Sequence, residues 1–228
     1  MNQFVKPAVI GASIVVTLVL GIFVILRLSG VLLYFKMVSG SSEPNLKMGE
    51  RVFASGLKAP KVNDFICFAA YDSINNRADI LMHRLCAKGG DKVEIKDGVL
   101  IVNGLAETGI KLTNEYLVPR AYLPKIPNTS EVNNIMDMGE DSVHVFATID
   151  FMKENGIVGK LVVHPVAFVD EMVALRWQHN WNLDQFGPVV VPANCYFVLG
   201  DNRHNAFDSR YRGFVDGKDF RATVVWHN

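Results

Sequence analysis

Three stretches of this 228-residue chain hold residue types that can do chemistry together. Ser39-Gly40-Ser41-Ser42-Glu43-Pro44 carries hydroxyls on a backbone made tight by a glycine and stiff by a proline. His83 sits in Leu81-Met82-His83-Arg84-Leu85-Cys86, an apolar-flanked run that reads as a strand. Gly200 to Gly213 is a polar turn dense in Asp, Asn and Arg. A serine hydroxyl is a poor nucleophile at neutral pH and needs a base within hydrogen-bond reach, a task that suits an imidazole. The imidazole in turn wants a carboxylate to fix its tautomer. Ser41, His83 and Asp208 (or Asp201) can supply the three roles, converging in space from distant points of the chain.

Those residues need elements to position them. Ala8 to Leu26 is uncharged and almost wholly apolar. At about 1.5 Å per residue it spans roughly 28 Å as a helix, close to a hydrocarbon core of about 30 Å. Arg27 interrupts, and Leu28 to Phe35 continues apolar as far as Lys36. This reads as an uncleaved anchor over residues 1–36, a helix emerging through the interface with Arg27 snorkelling. Lys6 and the amine flank one side, Arg27 and Lys36 the other, so charge does not orient it.

Beyond Gly49 the pattern changes to strands: Arg51 to Ser55, Asp64 to Ala70 and Ile80 to Cys86. Lys92 to Lys96, the turn Asp97-Gly98 and Val99 to Val102 predict a β-hairpin. Residues 105–180, with Pro119, Pro124, Pro127 and a polar Asn/Asp/Met-rich stretch, read as an inserted subdomain. It is predicted to hold helices over Thr148 to Asn155 and Asp170 to Gln178, with a strand over Leu161 to Val169 between them. Val189 to Leu199 is strand broken at Pro192, and Ala222 to Trp226 closes the fold. The expectation is a mainly β fold: an antiparallel catalytic core over 37–104 and 181–228, a smaller α+β insertion and one N-terminal transmembrane helix.

The balance of 23 basic and 23 acidic residues gives no bulk field for a nucleic-acid partner. Cys67, Cys86 and Cys195 lack metal-ligand spacing and lie in or beside apolar runs, as small core residues do.

Four blocks resemble the type I signal peptidases, serine endopeptidases that remove secretory signal peptides: the anchor, Ser-Gly-Ser-x-Glu-Pro at 39–44, a strand ending in Gly90-Asp91-Lys92, and Gly-Asp-Asn-Arg…Asp-Ser-Arg at 200–210. The resemblance makes Ser41 the nucleophile and adds the Ser39 hydroxyl as an oxyanion donor beside the Ser41 amide. Asp201, Asn202, Arg203 and Arg210 become supports of the site. It implies no cofactor and no metal, a lipid membrane and signal-peptide-bearing preproteins as partners, and no nucleic acid. It also implies a single-pass protein of the plasma (inner) membrane with its catalytic domain on the extracytoplasmic side. Substrate would bind as an extended strand, with small side chains before the scissile bond.

The departures from that family are coherent. Bacterial members usually place a lysine base eight residues before the aspartate of the Gly-Asp pair, where this chain has His83, and a supporting serine where it has Ala206. Ser42 replaces a usual methionine. A histidine base needs little pKa shift, so the site is expected to be wetter than a lysine site, with activity falling on the acid side around 6 to 7. Lys88 is read as a solvated turn residue, His204 as exposed and non-catalytic, and His144, His164, His179 and His227 as outside any constellation. The alternative is a non-catalytic relative that kept the fold as a membrane-tethered peptide-binding or assembly protein.

Overall fold

The computed structural model describes residues 5–72, 77–126, 132–139 and 141–228; Pro127 and the N-terminal amine lie outside them. Helix α1 (Val5–Leu28) contains a 20-residue span, Val9–Leu28, of mean hydropathy 2.9, none of it buried against the protein. The helix stops eight residues before the expected end of the anchor at Lys36. Gly30 turns the chain in the left-handed region (φ 71°), and Leu32–Lys36 becomes strand β1. The reason lies in pairing: β1 runs antiparallel to β2 (Arg51–Ser55), with Leu33 opposite Ala54 and Phe35 opposite Val52. The period-two pattern turns Leu33 and Phe35 onto the core of Val52, Ala54, Phe65 and Met82.

That core underlies a seven-stranded sheet. It contains β1, β2, β3 (Phe65–Asp72), β4 (Arg77–Lys88), β13 (Cys195–Leu199), β14 (Val215–Asp216) and β15 (Phe220–His227). Its order is β1-β2-β15-β3-β4-β13-β14, so the closing strand β15 lies between the N-terminal pair and β3. A second sheet, β12-β5-β6-β7, is built on the hairpin of β5 (Lys92–Lys96) and β6 (Val99–Val102), with β7 at Leu105–Ala106 and β12 at Phe186–Val190. Asp97 and Gly98 at the hairpin turn both take positive φ, 49° and 78°, as a two-residue turn of that twist requires.

The third sheet lies within the stretch read as an insertion. Strands β8 (Thr113–Pro119), β9 (Val132–Met136), β10 (Ser142–Thr148) and β11 (Lys160–Leu161) pair in the order β11-β8-β10-β9. They share a separate apolar core with α2 (Ile149–Glu154), through Val118, Val143, Val145, Phe151 and Met152. Thr148 caps α2 by accepting from the Phe151 amide. Past Leu161 the expected strand to Val169 does not form; Val162 makes one more bond to Glu115 and Pro165 then interrupts. Helix α3 (Glu171–Trp177), capped by Asp170 and ended by Gln178 in the left-handed region, matches its predicted limits. Val173 is buried with Val93, Phe186 and Phe197 of the main core, and the half-buried Trp177 packs against them. Helix α3 therefore packs with the main core.

Candidate active site

The serine loop is fixed from below by the residues beside the nucleophile candidate. Ser42 is fully buried, and its hydroxyl donates to the carbonyl of Met82 at 2.7 Å, the residue before His83 on β4. Here the replacement of the family's usual methionine is a clasp between loop and strand. Leu46, also fully buried, donates its amide to Ser42. Glu43 folds back so that its carboxylate accepts from the Met48 amide and lies 3.3 Å from where a Cβ on residue 40 would be. Its pKa is raised by burial, against the lowering effect of that amide bond.

These clasps present Ser41 to His83. Oγ of Ser41 and Nε2 of His83 lie 3.3 Å apart, slightly beyond the ~2.6–3.2 Å of an engaged acid–base pair and in the range of a site without substrate. The Ser41 amide donates to Ser39 Oγ at 3.2 Å, so the two expected oxyanion donors are adjacent and, without substrate, one of them satisfies the other. His83 is 3% exposed, and its Nδ1 is buried with no hydrogen-bond partner among the described residues. Burial therefore pushes the imidazole down to about 4; the charge of Asp208 raises it, and Arg210 and Arg212 lower it again. The expectation of a wet site with an almost unshifted histidine is overturned: an imidazolium here would leave one N–H unbonded in an apolar setting beside Phe68.

Neither expected carboxylate hydrogen-bonds His83. Asp208 accepts from Nε and Nη2 of Arg210 at 2.9 and 2.7 Å, and from the amides of Gly200 and Arg210. Asp201 accepts from Nε of Arg84 at 2.7 Å, Nη2 of Arg84 at 2.5 Å and Nδ2 of Asn45 at 2.6 Å. Charge-assisted bonds to guanidinium forks saturate both groups, and only their longer-range fields reach the imidazole, that of Asp208 more strongly than that of Asp201. The remaining supports are architectural too. The Asn202 amide donates to the Ser41 carbonyl at 3.1 Å and its side chain to Gly40 at 3.3 Å. Arg203 pairs with Glu107 at 2.6 Å, and Arg210 also reaches the carbonyls of Arg203 and Leu183. Gly200 is required by contact: a Cβ there would fall 2.4 Å from the Ser41 carbonyl oxygen and 2.3 Å from Cβ of Ala206.

Ser39, Ser41, Leu81, His83, Ala206 and Phe207 line one side of an open cleft of about 490 Å³. It adjoins a second cavity of about 570 Å³ that shares Leu81, Phe207, Tyr211 and Met172. Strand β13 pairs with β4 only over Arg84–Lys88, so β4 before that point is paired on its β3 side alone among the described residues. Lys88 is not a second base. Its ammonium donates to the Pro60 carbonyl, away from the serine. His204 is not the exposed residue expected: its side chain is 3% exposed and contacts Asp184, together with His164. That meeting joins three segments whose sequence spacing carries no ligand pattern. Sequence reading also missed Asn45, which no pattern beyond its place after Glu43-Pro44 distinguishes.

A family model described as signal peptidase, peptidase S26, matches residues 9–227. Signal peptidase I of Buchnera aphidicola subsp. Baizongia pistaciae is 27% identical over 217 residues, which cover 84% of this chain and 68% of the relative. That of Aquifex aeolicus is 26% identical over 218 residues, 85% of this chain and 75% of its own. Signal peptidase I S of Bacillus subtilis is 46% identical over a shorter stretch of 54 residues, 24% of this chain and 29% of the relative. Among solved structures, a signal peptidase I from Enterococcus faecalis aligns at a TM-score of 0.36 and 21% identity, covering 74% of this chain and 98% of that one.

Proposed function

The chain belongs to the signal peptidase family, peptidase S26, and from that premise we propose that Ser41 and His83 are the pair with which this serine endopeptidase cleaves signal peptides from exported preproteins. The observation that carries the assignment is the 3.3 Å approach of Ser41 Oγ to His83 Nε2 beside an open cleft. The peptide enters extended along the edge of β4 that β13 leaves free, with the scissile carbonyl over Ser41. As Oγ attacks the carbonyl carbon, its proton passes to Nε2, and the oxyanion takes the Ser41 amide and the Ser39 hydroxyl in place of their mutual bond. Collapse expels the new amine, which takes the proton back from Nε2. Water then attacks the ester, delivers a proton to Nε2 and restores the serine.

A pKa near 4 leaves His83 neutral throughout the physiological range, so the base is always available, at the cost of basicity. The low value follows from burial and an unpartnered Nδ1, and the pair works as a dyad, with Asp208 supplying field only. Helix α1 anchors the protein in the membrane, and we place the catalytic domain on the extracytoplasmic side, where a signal peptide's cleavage site emerges beside the bilayer. The serine loop begins three residues after β1, itself close behind the helix, which puts the nucleophile near the membrane surface.

The test is cleavage of a signal-peptide-bearing preprotein by the detergent-purified full chain. The expected result is a single cut in the wild type, absent in both Ser41→Ala and His83→Ala. Undiminished cutting by either variant would remove that residue from the role; no cutting by the wild type, with the same cellular phenotype for Ser41→Ala, would leave a non-catalytic peptide-binding protein.

A further inference from the structure

At the margin of the catalytic cleft, which His204 also lines, His164, Asp184 and His204 bring a carboxylate and two imidazoles to one point, their ligating atoms all within 4.8 Å of one another. His164 follows β11, Asp184 precedes β12 and His204 lies in the polar block after β13, so three separate segments meet there. Nδ1 of His164 is 2.7 Å from Asp184 Oδ2, and Nε2 of His204 is 3.0 and 3.2 Å from the two oxygens. We propose that these three side chains form a binding site for a divalent transition metal of the imidazole-preferring class, zinc first among them.

The chemistry of the donor set favours that reading. Two imidazoles and one carboxylate suit zinc and its neighbours, whereas magnesium and calcium prefer all-oxygen shells. Metal–nitrogen and metal–oxygen bonds of about 2.0–2.1 Å at a tetrahedral angle separate the donor atoms by roughly 3.3 Å. The present carboxylate–imidazole separations of 2.7 to 3.2 Å need to open by well under an ångström, and the two imidazoles, with ligating atoms within 4.8 Å of each other, need to settle to the same spacing. The carboxylate side chain is 2% exposed, and the β5–β6 turn closes over it: a Cβ on Gly98 would lie 3.3 Å from Asp184 Oδ1. His164 is 26% exposed and gives the ion a way in. Arg210, bonded to the neighbouring Leu183 carbonyl, is the nearby positive charge that a cation must tolerate.

Binding moves protons within the rings. Each imidazole gives up the hydrogen it now points at Asp184 and carries it on the other nitrogen. For His204 that nitrogen is Nδ1, which accepts from the Glu115 amide at 3.4 Å, so ligation gives up this long contact. The site is accordingly exchangeable and not a permanent structural centre. Its effect is to tie the irregular segment after β11 to the loop that carries Ala206 and Phe207 into the cleft.

The test uses the full chain in detergent, titrated with Zn²⁺, Co²⁺ and Mg²⁺ by calorimetry, with the visible ligand-field bands of Co²⁺ as a second readout. One saturable equivalent of Zn²⁺ and Co²⁺ is expected, with none of Mg²⁺. The partly exposed His164 is the variant of choice, and His164→Gln should weaken binding at least about tenfold while its metal-free thermal midpoint stays near the wild type. His83→Ala and Cys195→Ser should bind as the parent does. Absence of saturable uptake, uptake indifferent to His164→Gln, or uptake lost with His83→Ala or Cys195→Ser would overturn the proposal.

Discussion

His83 and the Gly200–Arg210 block lie side by side and are built on opposite terms. In the block every carboxylate meets a guanidinium or an amide: Asp208 with Arg210 and Gly200, Asp201 with Arg84 and Asn45. In the pair, one ring nitrogen faces a serine and the other has no hydrogen-bond partner among the described residues. Bond saturation makes the block a scaffold that holds Gly200 against the Ser41 carbonyl. The missing bond makes His83 reactive in a particular way, because an imidazole without a partner in an apolar pit stays neutral. Reactivity sits where the bonding is incomplete.

The largest effect that tests this contrast is loss of the nucleophile. Ser41→Ala should lower kcat/KM by about 10⁴-fold or more, and adding His83→Ala should cost little further, since the two act as one unit. Independent, multiplying losses in the double variant, measured under single-turnover conditions, would separate them. Next comes Asp208→Ala. It strands a buried guanidinium, for which the expected loss is about 3–5 kcal/mol of unfolding free energy, read by denaturant titration. If Asp208 instead oriented His83 directly, Asp208→Asn would lower kcat and move the pH profile while leaving stability nearly intact.

The third prediction concerns acid. The free enzyme's kcat/KM should hold down to about pH 4 before its acid limb appears, not fall around 6 to 7. The same shift affects stability. The folded state binds the His83 proton less readily than the unfolded chain, so stability attributable to this group is full above its ordinary pKa of about 6.5 and is lost as pH falls towards about 4. His83→Leu should remove that window's contribution, on the order of 3 kcal/mol, from the pH dependence of unfolding. An unchanged slope between those limits would mean that His83 is solvated.

What could be read in advance follows from how local each signal is. The anchor, the β5–β6 hairpin and the caps Thr148 and Asp170 are written in neighbouring residues, and the elements formed where those signals lie. Leu32–Lys36 reads as more of the anchor because apolar residues suit both a helix and a strand, and only β2 on the far side of the serine loop decides between them. The packing of Val173 and Trp177 against Phe186 and Phe197 is invisible in sequence order. In the site, Ser41 and His83 were legible as a nucleophile and a base. Their third partner was not, because an aspartate two residues before an arginine gives no hint of which cation or imidazole it will face. The His164–Asp184–His204 meeting was hidden for the same reason, each member lying in a segment of its own.

The smallest predicted effect tests how the scaffold reaches the pair. Ser42 is the link in the serine loop that bonds the strand carrying His83, through the Met82 carbonyl. Removing its hydroxyl leaves that carbonyl buried beside a small apolar gap, at a cost of about 1 kcal/mol. A purely structural bond would show only that loss. If the bond sets the distance between Oγ and Nε2, Ser42→Ala should also lower kcat severalfold with KM little changed, because misplacement by a fraction of an ångström acts on the reacting geometry and not on peptide binding. Ser42→Thr, which keeps the donor and adds a methyl group in a fully buried position, should recover kcat in proportion to how well the loop accommodates the extra volume. Equal kcat in Ser42→Ala and wild type would confine Ser42 to stability and leave the placement of Ser41 to Gly200 and Asn202 alone.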